Sequence, residues 1–322
     1  MKSTCLNKQW FFFFIVPLLL CRTFICFGDN FSSSGYAKGG AEYLKLPAHA
    51  YNASLSGAVT SWCDDIAGFQ YNPAIIENLL TYHLAVSNTF FMDDRVFYAF
   101  EAAGPIGEYL VLGGSLINAG VKTIERRNEF GTLEGYFSDE ELAVTLAVAG
   151  RLQWNISWGA AGRYMIQKLD NEDAHGMGFD FGATFQPDSA FRIGISLLNC
   201  ASFLWWSTDH TDKVLLQARG GVLGKLIDNT LAVSCDIIKT LEQPVDIAFG
   251  VQYTLLQVLS LRMGMVTSIH TSSPKVRDPD ISLGAGLRYS YYGIDYACTI
   301  PIEKYGVIHK ASIIFEFSQK LH

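Results

Sequence analysis

Charged side chains are scarce in this chain of 322 residues. They make up 17% of it, well below the roughly 25% that is typical of soluble globular domains. Basic residues are not in excess either, because the formal net charge is −7. That balance argues against nucleic acid as a partner, since binding to phosphates needs a basic surface.

Long apolar runs are missing from the body of the chain. A membrane-spanning helix needs about 20 consecutive apolar residues, and no segment after the N-terminus provides them. At the N-terminus, two lysines precede a short apolar run and Gly28, which predicts a secretory signal peptide over residues 1–28. A membrane anchor is the alternative, but Pro17 and Arg22 interrupt the run. A lipoprotein signal is a second alternative, without a convincing small-residue motif.

Motifs for metal binding and catalysis are also lacking. The cysteines outside the predicted signal form no Cys-x-x-Cys pair, and no histidine stands at metal-ligand spacing. Signatures of hydrolases, zinc proteases and nucleotide-binding proteins are absent as well. His83 and Ser87 share one face of a predicted strand, yet four residues along a strand separate them by about 13 Å. We therefore predict neither an enzyme nor a bound cofactor or metal.

What the chain has in abundance is alternation with a period of two residues, which predicts β-strands. In the segment ELAVTLAVAG, the even positions 142–148 are aliphatic, while the odd positions are alanine and threonine. Most of these segments approach the 9–11 residues that a tilted strand needs to cross a bilayer. The fourteen predicted segments are 80–87, 95–102, 108–117, 140–150, 153–166, 175–186, 190–198, 213–222, 229–238, 245–254, 259–267, 280–289, 292–299 and 306–317.

The two faces of the predicted strands distinguish a membrane barrel from a soluble sheet. Bulky apolar side chains occupy one face, whereas Gly, Ala, Ser and Thr dominate the other, with about one charge per strand. Small residues suit the concave interior of a barrel, and a bulky face suits lipid. We predict an all-β protein, a transmembrane antiparallel barrel of about 14 strands, over residues 79–317. A soluble β-sandwich is the alternative. Phe97, on the inner face, and His309, on the outer face, do not fit the pattern.

The connections between the predicted strands alternate between long and short. Loops at 118–139 and 199–212 contrast with tight turns such as Arg151-Leu152. This asymmetry is typical of outer-membrane barrels, whose long loops face outward. We therefore expect both termini, including a short tail at 318–322, to lie in the periplasm. The expected partners are membrane lipid and, during biogenesis, the outer-membrane assembly machinery.

Residues 29–78 lack the alternation and predict a compact hatch, or plug, inside the barrel. Pro73 is suited to the first turn of a helical element. A barrel of fourteen strands is too wide for strand side chains alone to fill, because about eight strands already reach that limit. The segment before the first strand would fill the remaining space. Within it, we predict that Tyr71, Asn72, Pro73 and Ala74 form a gate.

Several runs resemble a known family. Gly39-Gly-Ala-Glu-Tyr-Leu-Lys45, Gly57-Ala-Val-Thr-Ser-Trp-Cys-Asp-Asp65 and Tyr71-Asn-Pro-Ala74 resemble the N-terminal hatch of the outer-membrane long-chain fatty acid (FadL-like) transporters. They look closest to an uncharacterised spirochaete branch and are related to the secretion shuttle barrels of Bacteroidetes. The resemblance implies transport of a hydrophobic small-molecule ligand. Where the family usually continues Asn-Pro-Ala with glycine, this chain has Ile75.

Charged and polar residues of both signs fall on the predicted inner face. Most would pair with one another or hold the hatch, and arginine would also suit a ligand carboxylate. Two hypotheses therefore remain: a transporter for hydrophobic ligands, or a barrel that docks envelope or secreted proteins without conducting. Apolar inner residues such as Phe97 and Leu198 favour transport. The predicted lumen-facing polar residues are His83, Glu101, Arg163, Asp180, Arg192, Asp236, Arg262, Arg288 and Asp295.

Overall fold

A computed structural model describes residues 39–62, 66–91, 94–227, 229–269, 279–301 and 306–317. The predicted signal peptide, Cys63 and the tail at 318–322 lie outside these residues. No helix within the described ranges is both long and apolar enough to cross a membrane.

The fold is a single antiparallel sheet that closes on itself. Apart from the short strand β8, each strand pairs with the next along the chain, and the first strand, β1, pairs with the last, β15, from Tyr82↔Phe317 to Phe90↔His309. The strands are β1 (Tyr82–Phe90), β2 (Arg95–Ile106), β3 (Leu110–Arg127), β4 (Leu133–Arg151), β5 (Ile156–Leu169), β6 (Glu172–Phe185), β7 (Phe191–Trp206), β8 (Thr211–Lys213), β9 (Gln217–Leu226), β10 (Leu231–Thr240), β11 (Val245–Leu255), β12 (Leu259–Ile269), β13 (Asp280–Tyr289), β14 (Tyr292–Ile300) and β15 (Ile308–Phe317).

The predicted fold class is confirmed, with fourteen strands in the barrel wall. The remaining strand, β8, has three residues and pairs only with the end of β7, so it belongs to a connection. We call the end of the barrel where β1 ends and β2 begins the loop rim. The opposite end, where β2 ends and β3 begins, is the turn rim.

The faces of the wall follow the alternation of the sequence. On β4, Leu146 is 70% exposed on the outside of the barrel, whereas the adjacent Ala147 is 4% exposed on the inside. Closure leaves no unpaired strand edge, so the backbone groups of the wall are bonded within the sheet. The apolar outer surface therefore has the chemistry of a lipid-facing wall.

The wall departs from the prediction at the loop rim. The predicted loop over 118–139 is largely an extension of the β3–β4 hairpin, with a register shift between Val121 and Ile124. Likewise, β7 continues to Trp206 through the predicted loop 199–212. Beyond the lipid, both faces of a strand can meet water, so pairing continues although the apolar alternation ends.

The two residues that did not fit the pattern find polar or aromatic partners. Phe97 is fully buried on the inner face, where the Lys310 ammonium lies 4.3 Å from the centre of its ring. His309 lies on the outer face, and its Nδ1 is 2.6 Å from the hydroxyl oxygen of Tyr296. Both side chains therefore lie on the faces that the alternation predicted, each beside a neighbour that suits it.

The hatch fills the barrel with short helical turns. It consists of helix α1 (Ala50–Ser54) and three 3₁₀ turns, Glu42–Lys45, Ile66–Gln70 and Pro73–Asn78. His49 caps α1, because its Nδ1 accepts a hydrogen bond from the Tyr51 amide at 3.2 Å. The hatch buries apolar side chains against one another and the wall; one such cluster contains Tyr51, Leu55, Val59, Trp62, Ala67, Tyr71, Leu223 and Ala232.

Candidate functional site: the gate segment and the lumen

The predicted gate residues lie at a contact between the hatch and the wall. All four residues from Tyr71 to Ala74 are buried. Asn72 caps the 3₁₀ turn, as its Oδ1 accepts from the Ala74 amide at 3.1 Å. Its Nδ2 donates to the carbonyl oxygen of Thr60 at 2.8 Å and to that of Ala183, on β6, at 3.2 Å. One amide thus joins two parts of the hatch to the barrel.

Glycines of the wall make room for this segment. A methyl group on Gly182 would lie 1.9 Å from Asn72 Oδ1, and one on Gly159 would lie 2.3 Å from the carbonyl carbon of Pro73. Both distances are far shorter than a van der Waals contact. Small residues on the inner face are therefore required where the hatch backbone touches the wall.

A second contact joins Tyr71 to the barrel through Arg219. The Arg219 guanidinium carbon lies 4.6 Å from the centre of the Tyr71 ring, and its Nη2 donates to Gly57 O at 2.6 Å. The same Nη2 is 3.3 Å from Asp236 Oδ2, which accepts from the Thr60 amide at 2.8 Å. Burial raises the pKa of the Tyr71 phenol against the opposing effect of Arg219, so the ring stays neutral.

Arg219 and Lys310 were not among the residues predicted to matter. Arg219 lies four positions from the inner residue Leu215, and Lys310 lies four positions from the inner residue Ile314. Positions of equal parity, an even number of residues apart, point to the same face of a strand. Parity alone would have placed both side chains in the lumen. Their contacts with the hatch, such as that of Lys310 Nζ with Pro47 O, have no signal in the sequence.

Arg163 and Asp180 form an ion pair beside an irregularity in the wall. Arg163 Nη2 lies 2.6 Å from Asp180 Oδ2, and Arg163 Nη1 donates to Asn199 Oδ1 at 2.7 Å. Asp180 Oδ1 accepts from the Asn199 amide at 2.7 Å. Pairing between β6 and β7 shifts register here, and Asn199 has a φ of 60°. The Asp180 carboxylate thus accepts a hydrogen bond from a backbone amide that the bulge leaves outside the regular strand pairing.

Two other predicted residues, Arg262 and Arg288, bind the carboxylate of a third, Asp295. Asp295 accepts from Arg262 Nη1 and Arg288 Nη2, each at 2.7 Å. His49 of the hatch lies 4.0 Å from the same carboxylate, and Arg262 stacks over Tyr51 at 4.2 Å from the ring centre. This cluster ties three strands of the wall to helix α1.

The remaining predicted residues are dispersed. His83 is buried, and its Nε2 lies 2.9 Å from Thr81 Oγ1. Glu101 is buried on the inner face of β2. Arg192 lies near the turn rim and donates to Gln186 Oε1. The nine predicted polar residues therefore form two ion clusters and several separate sites, rather than one constellation.

The lumen does not present a catalytic arrangement at the positions considered. Ser87 forms a hydrogen bond with the hydroxyl of Ser312 at 2.7 Å, whereas His83 bonds to Thr81. Ser87 and His83 therefore have different partners. Within the described ranges, no group of three or more His, Cys, Asp or Glu residues could hold a metal ion.

Two large cavities lie on opposite sides of the hatch. The cavity at the loop rim has a volume of about 320 Å³, and its lining includes Leu46, Phe91, Ile238 and Val266 together with Arg219 and Lys310. The cavity at the turn rim has a volume of about 290 Å³ and a polar lining. Tyr71 and Arg219 line both the loop-rim cavity and a smaller one of about 50 Å³ near Asn199.

Solved structures with the same architecture are channels and transporters. The monoaromatic hydrocarbon channel CymD superimposes with a TM-score of 0.67 at 13% identity, covering 86% of this chain and 99% of that one. The toluene transporter TodX of Pseudomonas putida gives 0.65 at 10% identity, with 83% and 97% covered. A FadL homologue from Pseudomonas aeruginosa gives 0.59 at 12% identity, with 85% and 99% covered.

These similarities confirm the resemblance at the level of the fold. No protein-family model matches the sequence, and a search of curated proteins finds no significant match. Identities of 10–13% show the fold alone, so the ligand of this chain is argued first from its lumen.

Proposed function

We propose that this protein is an outer-membrane channel for hydrophobic ligands such as long-chain fatty acids. Ligand enters at the loop rim, and the hatch gates its passage through the lumen. The observation that carries the proposal is the gate segment: Asn72 and Tyr71 hold the hatch against the wall directly beside a cavity with apolar lining. The structural neighbours CymD, a hydrocarbon channel, and TodX, a toluene transporter, support a hydrophobic ligand as well.

The loop-rim cavity suits capture of an amphiphile. Its apolar residues, among them Phe91 and Ile308, offer a surface for a hydrocarbon chain, while its charged residues include Lys310 as well as Asp246 and Asp280. Ligand sites of this kind combine a mostly apolar lining with a few polar groups that fix orientation. Under this proposal the loop rim faces the exterior, and both termini lie in the periplasm.

The gate segment would move because few hydrogen bonds join it to the wall: Asn72 Nδ2 donates to Ala183 O, and Tyr71 O accepts from Ser196 Oγ. Each hydrogen bond of Asn72 is worth about 0.5–1.5 kcal/mol net. A ligand that binds the displaced hatch more tightly than the seated one would shift the population. The hydrophobic ligand would then leave through the gap beneath the displaced segment, towards the turn rim.

The gate is tested by the double variant Asn72→Ala with Pro73→Ala. We expect the barrel to fold, because both substitutions lie in the hatch and leave the pairing between the wall strands unchanged. We expect uptake of hydrophobic compounds into cells or liposomes to change severalfold. Folding is measured by heat-modifiable migration on gels. Asn88→Ala, on the outer face of β1, is the matched control and should leave uptake unchanged.

Unchanged uptake in the folded double variant would contradict the gate. A barrel that docks envelope or secreted proteins without conducting would then be the better explanation. Capture of such a partner by a folded protein that shows no uptake would support that alternative.

A further inference from the structure

The turn-rim cavity contains a buried arginine whose charge is not paired. Arg192, at the start of β7, is 7% exposed and lines the cavity with Ser157, Thr184 and Gln186. Its Nη2 donates to the neutral side chain of Gln186. Its Nη1 is buried and has no hydrogen-bond partner among the residues that the structure describes.

The other buried arginines of the barrel differ from Arg192. Arg163, Arg219 and Arg262 each lie within 3.3 Å of an aspartate oxygen. No carboxylate lies within ion-pair distance of Arg192 in the described part of the chain. The protein therefore leaves one buried guanidinium uncompensated at the end of its lumen.

The acidic residues nearby are engaged elsewhere. Glu77 pairs with Arg151 at 2.9 Å and accepts from Ser157 Oγ at 2.7 Å. Asp188 also lines the cavity, but its Oδ1 accepts from the amides of Ala190 and Phe191, each at 2.8 Å. The charge of Arg151, the second arginine of the cavity, is thus neutralised by Glu77. Asp188 keeps its negative charge, but it does not lie within ion-pair distance of Arg192, so the Arg192 guanidinium has no direct counter-ion among the described residues.

A buried charge without a partner is costly. Removing an ion from water costs several kcal/mol unless an opposite charge or hydrogen bonds compensate it. An anion that enters the turn-rim cavity would supply that compensation. The planar guanidinium matches a carboxylate, which can accept from two of its nitrogens.

The cavity lies directly beneath the gate segment. Gly159 and Gly182 contact Pro73 and Asn72, and Gly194 would bring a methyl group within 2.2 Å of Thr60 O. Successive inward-facing positions of a strand are two residues apart. The next inward positions towards the turn rim are Ser157, Thr184 and Arg192, and all three line the cavity.

We propose that Arg192 forms a carboxylate-binding site below the gate, so that the channel favours hydrophobic acids over neutral hydrocarbons. This inference rests on the proposed function and names its ligand class. A ligand that passes Asn72 would meet Arg192 with its carboxylate while its apolar chain still occupies the lumen. A monoanion fits the site, since only one positive charge is uncompensated there.

The site is tested by binding of hexanoate and of its neutral analogue hexanol to the refolded full-length protein in detergent, measured by calorimetry. The wild type should bind hexanoate more tightly than hexanol. Arg192→Gln should weaken hexanoate binding about tenfold to a hundredfold, the value of one charge-assisted contact, and leave hexanol binding unchanged. Arg192→Lys should retain part of the preference.

Two further variants keep the test decisive. Arg151→Lys, in the same cavity, keeps a cation beside Glu77; it is the matched control and should preserve the preference for hexanoate. Asp188→Asn removes a like charge from the cavity and should tighten hexanoate binding, which tests the site even if Arg192→Gln fails to fold. Inorganic phosphate should compete weakly, because a dianion exceeds the available charge.

The outcomes separate this inference from the proposed function. Equal binding of hexanoate and hexanol, with no effect of Arg192→Gln or Asp188→Asn, would overturn the carboxylate site but leave a hydrophobic channel intact. Binding of neither compound would contradict both. Phosphate binding stronger than hexanoate would assign the cavity to a phosphate group, free or in a lipid, and would also overturn the inference.

Discussion

Adjacent residues of one strand meet different solvents, and this difference can be measured. Leu146 points to the outside and Ala147 to the lumen. Leu146→Arg should lower the free energy of unfolding by about 2–4 kcal/mol if the position lies near the bilayer midplane. Ala147→Ser should have a small effect, because polar side chains share the inner face. Urea unfolding of the refolded protein in lipid vesicles gives both values, and equal tolerance would instead indicate a soluble sheet.

A single methyl group should displace the hatch. In Gly159→Ala, the added carbon would lie 2.3 Å from Pro73 C and 2.4 Å from Ala74 N. Both are backbone atoms that cannot rotate away. We therefore expect overpacking to lower the free energy of unfolding by about 1–3 kcal/mol and to speed proteolysis of the hatch. Gly162→Ala on the same strand is the control, as its nearest contact would be an ordinary 3.9 Å to Phe179. Equal proteolysis of the two variants would contradict the close contact.

At the scale of elements, the buried pair of Arg219 and Asp236 couples β9 and β10 to the hatch. Removing one partner leaves the other charge buried, which costs about 3–5 kcal/mol. Arg219→Gln and Asp236→Asn should each reach that range, whereas the double variant should lose less than their sum. Unfolding followed by tryptophan fluorescence measures the coupling, since Trp62 is in the hatch. Additive losses would show that the two residues act independently.

The elements also show what alternation can and cannot predict. Period-two alternation located the fourteen strands of the wall because lipid and lumen impose opposite chemistry on successive residues. It missed the end of the β3–β4 hairpin, where residues such as Thr132 and Leu133 meet no lipid. There the backbone pairing continues, but the sequence has no contrast between faces that would reveal it.

The residues of the lumen were predictable to a lesser degree. Parity indicates which side chains point inward, and it does so for Asp236 and Arg262. It does not indicate partners, because these are determined by the register between distant strands and by the path of the hatch. Arg219 and Arg192 show the consequence: both point inward, yet one contacts the hatch and an aspartate, while the other retains an unpaired charge.

For the molecule as a whole, the width of the barrel explains both the hatch and the glycines. Fourteen strands enclose more space than their own side chains can fill. The hatch occupies that space with its backbone packed against Gly159, Gly194 and Gly264. Buried ion pairs then fix its position at several points of the wall. The lumen is consequently a filled interior with a cavity at each end, so the transport that we propose would require the hatch to move.

The orientation of the whole molecule is the remaining prediction. The β3–β4 hairpin projects beyond the lipid-facing part of the wall and turns at 128–132, whereas the turn rim has short connections such as 152–155. Long connections face outward in outer-membrane barrels. An epitope tag inserted at 128–132 should therefore be labelled by antibody on intact cells, and a tag at 152–155 only after the outer membrane is permeabilised. The reverse pattern would place the loop rim and its apolar cavity in the periplasm, and the direction of transport proposed for this channel would be wrong.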